Sequence, residues 1–297
     1  MLDASWLWAL FTVIAAASQT VRNATQRELT TTLGTAGATH VRFLFGLPFA
    51  ALFLIAVVLA SGQAVPRPPA MFWPWVLAGA VAQIAATALM LAAMNDRSFV
   101  VVYAYIKTEP VQAALFGLIF LGDSVSLPMA AAIVIATTGV VVMALKPGAT
   151  LGLRATLLGL AAGGMFALSS VCYRGAILSL GLPNYLMAAT FTMVIGLMIQ
   201  VALLSLYLWL RDPGVIGAIL RHWRPSMLAG FLGALASQFW FLAFALATAA
   251  SVRTLALVEV LFAQGISTLV FKQATTPREG LGIVLIVLGV ALLVWTY

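Results

Sequence analysis

Four ionisable residues lie inside two apolar stretches of this chain. Lys107 and Glu109 interrupt one stretch, and Arg253 and Glu259 interrupt another about 150 residues later. Ionisable groups at membrane depth are costly and mark functional sites. A carboxylate there can take up a proton when water is excluded and release it when a water path opens. These residue types therefore point to reversible binding of protons or charged solutes.

Each charged residue also has a structural interpretation. The glutamates could be held in fixed pairs that set helix packing, and Lys107 and Arg253 could simply neutralise them. Alternatively, a cavity with both signs could hold a zwitterion, with its carboxylate on a base and its amine on an acid. Pro110 follows Glu109 and has no backbone N–H, so it frees the carbonyl one turn earlier and can bend the helix. The residues alone leave these alternatives open.

Further polar and aromatic residues inside apolar runs are candidates for lining a translocation path or for joining helices. They are Gln19, Gln83, Gln112, Ser170, Gln238 and Gln264, together with Tyr103 and Trp240. Arg22 and Arg174 lie towards the ends of their helices. Each could gate one side of the membrane by pairing with an acid, or could extend to the lipid headgroups.

Composition excludes several classes of protein. Of 297 residues, 63% are hydrophobic and 8% charged, which is typical of an integral membrane protein. The net charge of +7 comes from scattered bases, which argues against nucleic-acid binding. With one cysteine, and with His40 and His222 far apart in the sequence, we predict no intramolecular disulfide, no metal site and no cofactor.

The length of the apolar runs predicts the fold class. A helix that spans a bilayer needs about 20 mostly apolar residues. We predict an all-α membrane protein with ten transmembrane helices, at about 4–22, 36–60, 71–94, 98–121, 127–145, 153–179, 184–209, 225–247, 250–271 and 278–296. The loops are too short for a soluble catalytic domain, so any chemistry must occur at membrane depth.

The chain also contains an internal repeat. Glu109 aligns with Glu259, and Gly139 with Gly289, without a gap. We predict two five-helix repeats, residues 1–146 and 147–297, that form one transport unit. Because five is odd, the second repeat must be inverted, as in many secondary transporters, whose site lies near the midplane. The two glycines are expected to permit close helix contact.

Loop charge predicts the orientation. The loops after odd-numbered helices, counting Arg154 and Arg278 at the starts of the next helices, contain Arg27, Arg97, Lys146, Arg154, Arg211, Arg221, Arg224, Lys272 and Arg278. The loops after even-numbered helices contain only Arg67. By the positive-inside rule the first set faces the cytoplasm, which places both termini outside.

Taken together, these motifs resemble the EamA family of the drug/metabolite transporter superfamily. The resemblance rests on the fourth-helix glutamates within Thr108–Val111 and Val258–Leu261, on Leu121-Gly122-Asp123 where the family often has Leu-Gly-Glu, on Arg42 early in helix two, and on Gly139 and Gly289. It covers essentially the whole chain. Gln273 departs from the pattern, since the second repeat of the family often has an acidic residue there.

The resemblance implies a ten-helix secondary carrier of the bacterial inner membrane that exports small metabolites, chiefly amino acids, by alternating access. YddG-like exporters of aromatic amino acids belong to this group. We accordingly expect a small-molecule substrate, a surrounding lipid bilayer, function as a monomer and protons as a candidate coupling ion, with uniport equally compatible. Family members are usually drawn with cytoplasmic termini, opposite to the loop-charge prediction.

Three other functions compete with export. Import of small metabolites and multidrug efflux share every feature described so far. An intramembrane enzyme acting on lipids is the distant alternative, because the sequence offers no His/Asp cluster and no catalytic loop. We therefore expect a carrier and not an enzyme.

Overall fold

The computed structural model describes residues 6–96, 99–144, 153–269 and 276–296. Every regular element within these ranges is an α-helix, which agrees with the predicted all-α class. The helices are α1 (Leu7–Leu44), α2 (Gly46–Ser61), α3 (Phe72–Asp96), α4 (Phe99–Ile106), α5 (Glu109–Leu121), α6 (Leu127–Ala144), α7 (Leu153–Ser179), α8 (Tyr185–Arg211), α9 (Pro213–Arg221), α10 (Trp223–Leu246), α11 (Ala249–Leu255), α12 (Val258–Leu269) and α13 (Pro277–Trp295).

Many of these helices can cross a bilayer. Among the described residues, six are long and apolar enough: Thr39–Ser61, Phe72–Met94, Leu153–Ser179, Tyr185–Arg211, Ser226–Leu246 and Pro277–Trp295. Leu7–Arg22 and Leu127–Met143 are shorter apolar helices. The chain is therefore a multi-pass membrane protein.

The first helix differs from its prediction. We expected it to end at residue 22, but α1 stays helical up to a kink at Gly34, which has φ 64° and ψ 178°. This backbone conformation is essentially restricted to glycine, so the chain bends there without a separate loop. The prediction failed because residues 23–33 are polar, which suggested a loop, although they contain no Gly or Pro to stop a helix.

The interval between the helices predicted at 184–209 and 225–247 also contains a helix. Pro213 begins α9, where its missing N–H costs no hydrogen bond. Ile219 of α9 is fully buried in a cluster with Leu33, Val41 and Leu208. The sequence did not indicate this helix, because it has only nine residues and contains Gly214 and Gly217.

The chain forms two compact units. One contains Met1–Val13, Ala82–Val171 and Ala247–Tyr297, and the other contains Ile14–Val81 and Cys172–Leu246. Each unit thus draws segments from both predicted repeats. The predicted boundary between the repeats, at residue 146, lies outside the described residues.

In the first unit, α6 packs closely along α13. A Cβ atom on Gly139 would lie 2.7 Å from the carbonyl oxygen of Gly282, and one on Gly289 would lie 2.6 Å from the backbone nitrogen of Ala136. These positions leave no room for a side chain, so the helices meet backbone to backbone. The expectation that Gly139 and Gly289 permit close contact is confirmed.

In the second unit, Tyr173 occupies the centre of a helix contact. Its ring packs against Gly79 of α3 and Gly196 of α8, where an added Cβ would approach to 3.0 Å. Its hydroxyl accepts a 3.1 Å hydrogen bond from Gln200 Nε2, and its ring centroid lies 4.6 Å from that of Phe241. Tyr173 of α7 thus contacts α3, α8 and α10 within this unit.

Candidate functional site

The fourth helix of each predicted repeat is interrupted beside its glutamate. α4 ends at Ile106, and α5 begins at Glu109 after a two-residue break. α11 ends at Leu255, and α12 begins at Val258. We had expected continuous helices over 98–121 and 250–271, and both expectations are wrong.

Tight turns carry the chain through both breaks. In the first, the N–H of Thr108 donates to Tyr105 and that of Val111 donates to Thr108, each to the carbonyl three residues earlier. In the second, Leu257 donates to Thr254 and Glu259 to Ala256 in the same way. Such i to i−3 bonds belong to 3₁₀ geometry, which occurs inside helices at hinges and functional sites.

Proline accounts for only one of the breaks. Pro110 is buried in the first turn of α5 and has no N–H to offer the carbonyl of Ile106. The second break contains Ala256 and Leu257 and is followed by Val260 at the position of the proline. A proline is therefore not required for this interruption.

The breaks place both glutamates at helix N-termini. Glu109 and Glu259 lie in the first turns of α5 and α12. Backbone N–H groups at a helix start carry a partial positive charge that stabilises a nearby carboxylate. Each broken helix thus favours negative charge at its own interruption.

Each glutamate forms an ion pair with the base of the other stretch. Lys107 Nζ contacts Glu259 Oε1, and Arg253 Nε lies 2.9 Å from Glu109 Oε1. Lys107, Glu109 and Glu259 are only 7%, 6% and 4% exposed. Lys107 also lies within electrostatic reach of Glu109 and Arg253. The four charges balance, which offsets part of their cost of burial.

The Arg253–Glu109 pair includes a third polar side chain, that of Ser170. Arg253 Nε donates its hydrogen to Ser170 Oγ at 2.8 Å, and the Ser170 hydroxyl donates to the carbonyl of Phe166 at 2.9 Å. Glu109 Oε1, although close to Arg253 Nε, accepts no hydrogen bond from any described residue. The arginine therefore neutralises Glu109 by charge while its Nε–H is directed to the serine.

A glycine face of α7 packs against the first break. A Cβ on Gly163 would lie 3.0 Å from the carbonyl oxygen of Ile106, and one on Gly159 would lie 2.8 Å from Cβ of Tyr105. Gln112 Nε2 donates to Thr108 Oγ1 at 3.1 Å and to the carbonyl of Leu160 at 3.3 Å. Gln112 thus joins α5 to α7, the helix-joining alternative among its two interpretations.

Three other predicted site residues lie on helices of the first unit. Gln83 of α3 and Gln264 of α12 are half-buried, and Tyr103 lies in α4 one turn before Lys107. Tyr103 is close to the charged residues in sequence, and its side chain lies outside the described part of the chain. The structure thus brings the four charged residues together and adds Ser170 as their neighbour.

In the second unit, predicted site residues make hydrogen bonds between helices. Gln238 Nε2 donates to Thr190 Oγ1 at 2.7 Å, and Trp240 Nε1 donates to Gln19 Oε1 at 3.3 Å. Both Gln238 and Trp240 are buried. Their contacts are those of residues that join helices.

The two arginines proposed as gates have different surroundings. Arg22 is 6% exposed, which does not fit a side chain extended to the headgroups. Arg174 Nη1 donates to the carbonyl of Phe244 at 2.8 Å, in the last turn of α10. A cation at a helix C-terminus satisfies free carbonyls, so Arg174 caps α10.

The role of Ser170 next to Arg253 was not predicted. Ser170 was identified only as one of several polar residues, and 83 residues separate it from Arg253. Its short side chain and i−4 hydrogen bond to Phe166 are common in membrane helices. No spacing in the sequence distinguished it from the others.

Broken apolar helices that carry buried, balanced charges define a helical membrane protein with a buried polar cluster in its first unit. Residues 6–145 match the EamA-like transporter family, a range that nearly coincides with the predicted first repeat. Members of that family are transporters and not enzymes. No curated protein matches the chain. A solved structure described only as "Crystal structure of protein" is 16% identical, covers 99% of both chains and has a TM-score of 0.73, which shows a shared fold.

Proposed function

We propose that the chain is a secondary carrier of the bacterial inner membrane that exports small organic metabolites, with amino acids as substrates, by alternating access. The observation that carries this proposal is the pair of interrupted helices with reciprocally paired, buried charges. Discontinuous helices at membrane depth form the substrate and ion sites of many secondary transporters. The family match over residues 6–145 supports the same class.

Ten spans in two inverted repeats are part of the proposal. The six long helices, the two shorter apolar helices, and the broken segments Phe99–Leu121 and Ala249–Leu269 would together make ten. The breaks beside Glu109 and Glu259 support the repeat, because both occur at equivalent positions. Orientation stays a prediction, and three of its bases, Arg97, Lys146 and Lys272, lie outside the described residues.

The balance of charge favours a zwitterionic substrate. The site contains two bases and two acids, so it is neutral when empty. A zwitterion adds no net charge, and its carboxylate and ammonium groups can each replace one partner of an existing pair. A singly charged solute adds a net charge to the buried site, so it should bind more weakly than a zwitterion.

Uptake of labelled amino acids into proteoliposomes, with and without a pH gradient, tests the proposal. We expect saturable uptake of one class of amino acid, and reduced uptake for Glu109→Gln and Glu259→Gln. Glu279→Gln is a matched control, because this glutamate caps α13 and glutamine can replace it in a capping box. Normal uptake by both site variants would remove the carboxylate role, and no uptake across the panel would remove amino acids as substrates.

The same preparation tests the finer parts of the proposal. Competition by aromatic amino acids would support a YddG-like range of substrates. Stimulation by the pH gradient would identify protons as the coupling ion, and its absence would support uniport. Export is supported if transport in cells runs outward down a metabolite gradient, whereas inward accumulation would identify an importer.

A further inference from the structure

We propose that Ser170 is a positioning residue that keeps the carboxylate of Glu109 available to accept the ammonium group of the substrate. This inference rests on the proposed carrier function, and it assigns the amine of the substrate to one of the two glutamates. It follows from the hydrogen bond that Arg253 donates to Ser170 beside Glu109.

The direction of the Arg253 Nε–H determines whether Glu109 accepts a hydrogen bond from it. Nε carries one hydrogen, and that hydrogen goes to Ser170 Oγ at 2.8 Å, although Glu109 Oε1 is only 2.9 Å from the same nitrogen. Ser170 in turn uses its own hydrogen on the carbonyl of Phe166. Ser170 therefore draws the Nε–H away from Glu109 and cannot donate to Glu109 itself.

Glu109 is left as a buried acceptor. Its side chain is 8% exposed, and Oε1 accepts no hydrogen bond among the described residues. A buried acceptor without a hydrogen-bond donor is unfavourable, and more so when it is charged. An incoming group with N–H donors and a positive charge satisfies it, and a primary ammonium group carries three such donors.

Glu259 is a poorer acceptor for the same group. Its side chain is 4% exposed and is in direct contact with the ammonium of Lys107. A substrate amine would have to displace the buried ammonium of Lys107 from this carboxylate, which is costly. The geometry thus assigns the amine to Glu109.

The test compares variants of two buried serines. Ser170→Ala removes the acceptor, so the Nε–H of Arg253 should turn to Glu109 and compete with the ligand. Ser170→Thr keeps Oγ and should restore binding. Ser226→Ala is the matched control, because Ser226 is equally buried and donates to the carbonyl of His222 four residues earlier, but belongs to the other compact unit.

Binding is measured by calorimetry on purified protein with three primary amines of increasing size: methylamine, isobutylamine and phenethylamine. 3-Phenylpropanoate, which has a carboxylate and no amine, is the comparison ligand. We expect at least one amine to bind wild-type protein. Ser170→Ala should raise the Kd of that amine about tenfold, the effect of one hydrogen bond to a charged group. Ser170→Thr and Ser226→Ala should leave this Kd unchanged. The Kd of 3-phenylpropanoate should not change in Ser170→Ala.

The infrared carboxylate band provides a readout without ligand. The band that Glu109→Gln removes should shift in Ser170→Ala, because Glu109 then accepts a hydrogen bond from Arg253. An unshifted band, equal amine binding by Ser170→Ala and wild type, or no amine binding at millimolar concentration would each overturn the inference. Amine binding without transport of any amino acid would leave the assignment of the amine to Glu109 standing and remove amino acids as the transported substrates.

Discussion

Removal of one partner of the Lys107–Glu259 pair should destabilise the protein more than removal of both. Lys107→Met alone leaves a buried carboxylate without its base, and Glu259→Gln alone leaves a buried ammonium without its acid. Breaking a buried pair in this way costs about 3–5 kcal/mol, whereas replacing both partners by neutral groups of similar volume is often tolerated. Because both residues are less than a tenth exposed, water cannot solvate the remaining charge.

The structure sets the expected magnitude near the lower end of that range. Lys107 remains within electrostatic reach of Glu109 when Glu259 is neutralised. We therefore expect each single variant to lose about 3 kcal/mol of unfolding free energy, and the double variant to lose no more than either single one. The coupling free energy of the double-mutant cycle is then at least about 3 kcal/mol.

The assay is equilibrium unfolding in mixed micelles, with helical circular dichroism as the signal. Glu279→Gln should change the unfolding free energy by less than about 0.5 kcal/mol, as is usual away from buried charges. Additive losses, with the double variant as costly as the sum of the two single variants, would refute the pairing of Lys107 with Glu259.

Three further predictions concern the backbone. Gly139→Val should cost about 1–3 kcal/mol or more of unfolding free energy, because the valine side chain would clash with the carbonyl of Gly282. Gly280→Ala should be neutral, because there is open space around Gly280. Equal effects of the two substitutions would contradict the close contact at Gly139. Gly34→Ala should lose about 1–3 kcal/mol in the same assay, because φ 64° with ψ 178° strains any other residue; an unchanged stability would argue against the kink. Pro110→Ala should leave the first break intact, since the second break forms without proline. Slowed amide hydrogen exchange over residues 105–112 would indicate a continuous helix there and contradict this prediction.

The length of apolar runs predicted where most helices lie, because bilayer thickness fixes the length of a span. The same reasoning failed where a helix continues through polar residues, as α1 does up to Gly34. It also failed where a helix stops within an apolar run, as at Ala256 and Leu257. Hydrophobicity indicates whether a segment lies in lipid or in water. The continuation of α1 and the break in the second apolar run depend instead on backbone hydrogen bonds.

The candidate site was predictable in composition and only in part in geometry. Burial of Lys107, Glu109, Arg253 and Glu259 follows from their place in apolar stretches, and neutralisation of the glutamates was one of two interpretations. The partners of each pair were not predictable, because each base bonds to an acid about 150 residues away. Such pairings depend on how helices pack, which no local pattern encodes.

The two halves of this site differ in the positions of their basic residues. Glu109 and Glu259 are equivalent in the repeat, but Arg253 aligns with Tyr103, and Lys107 aligns with Leu257. Exchange of conformation between inverted repeats would interconvert two equivalent states only if the residues were equivalent too. The position equivalent to Arg253 is Tyr103, so the predicted first repeat has no equivalent arginine to donate to a serine in that way. In the proposed inverted-repeat carrier, the two carboxylates would therefore stay chemically distinct in both states, and a substrate amine that prefers Glu109 in one state would have no identical acceptor at Glu259 in the other.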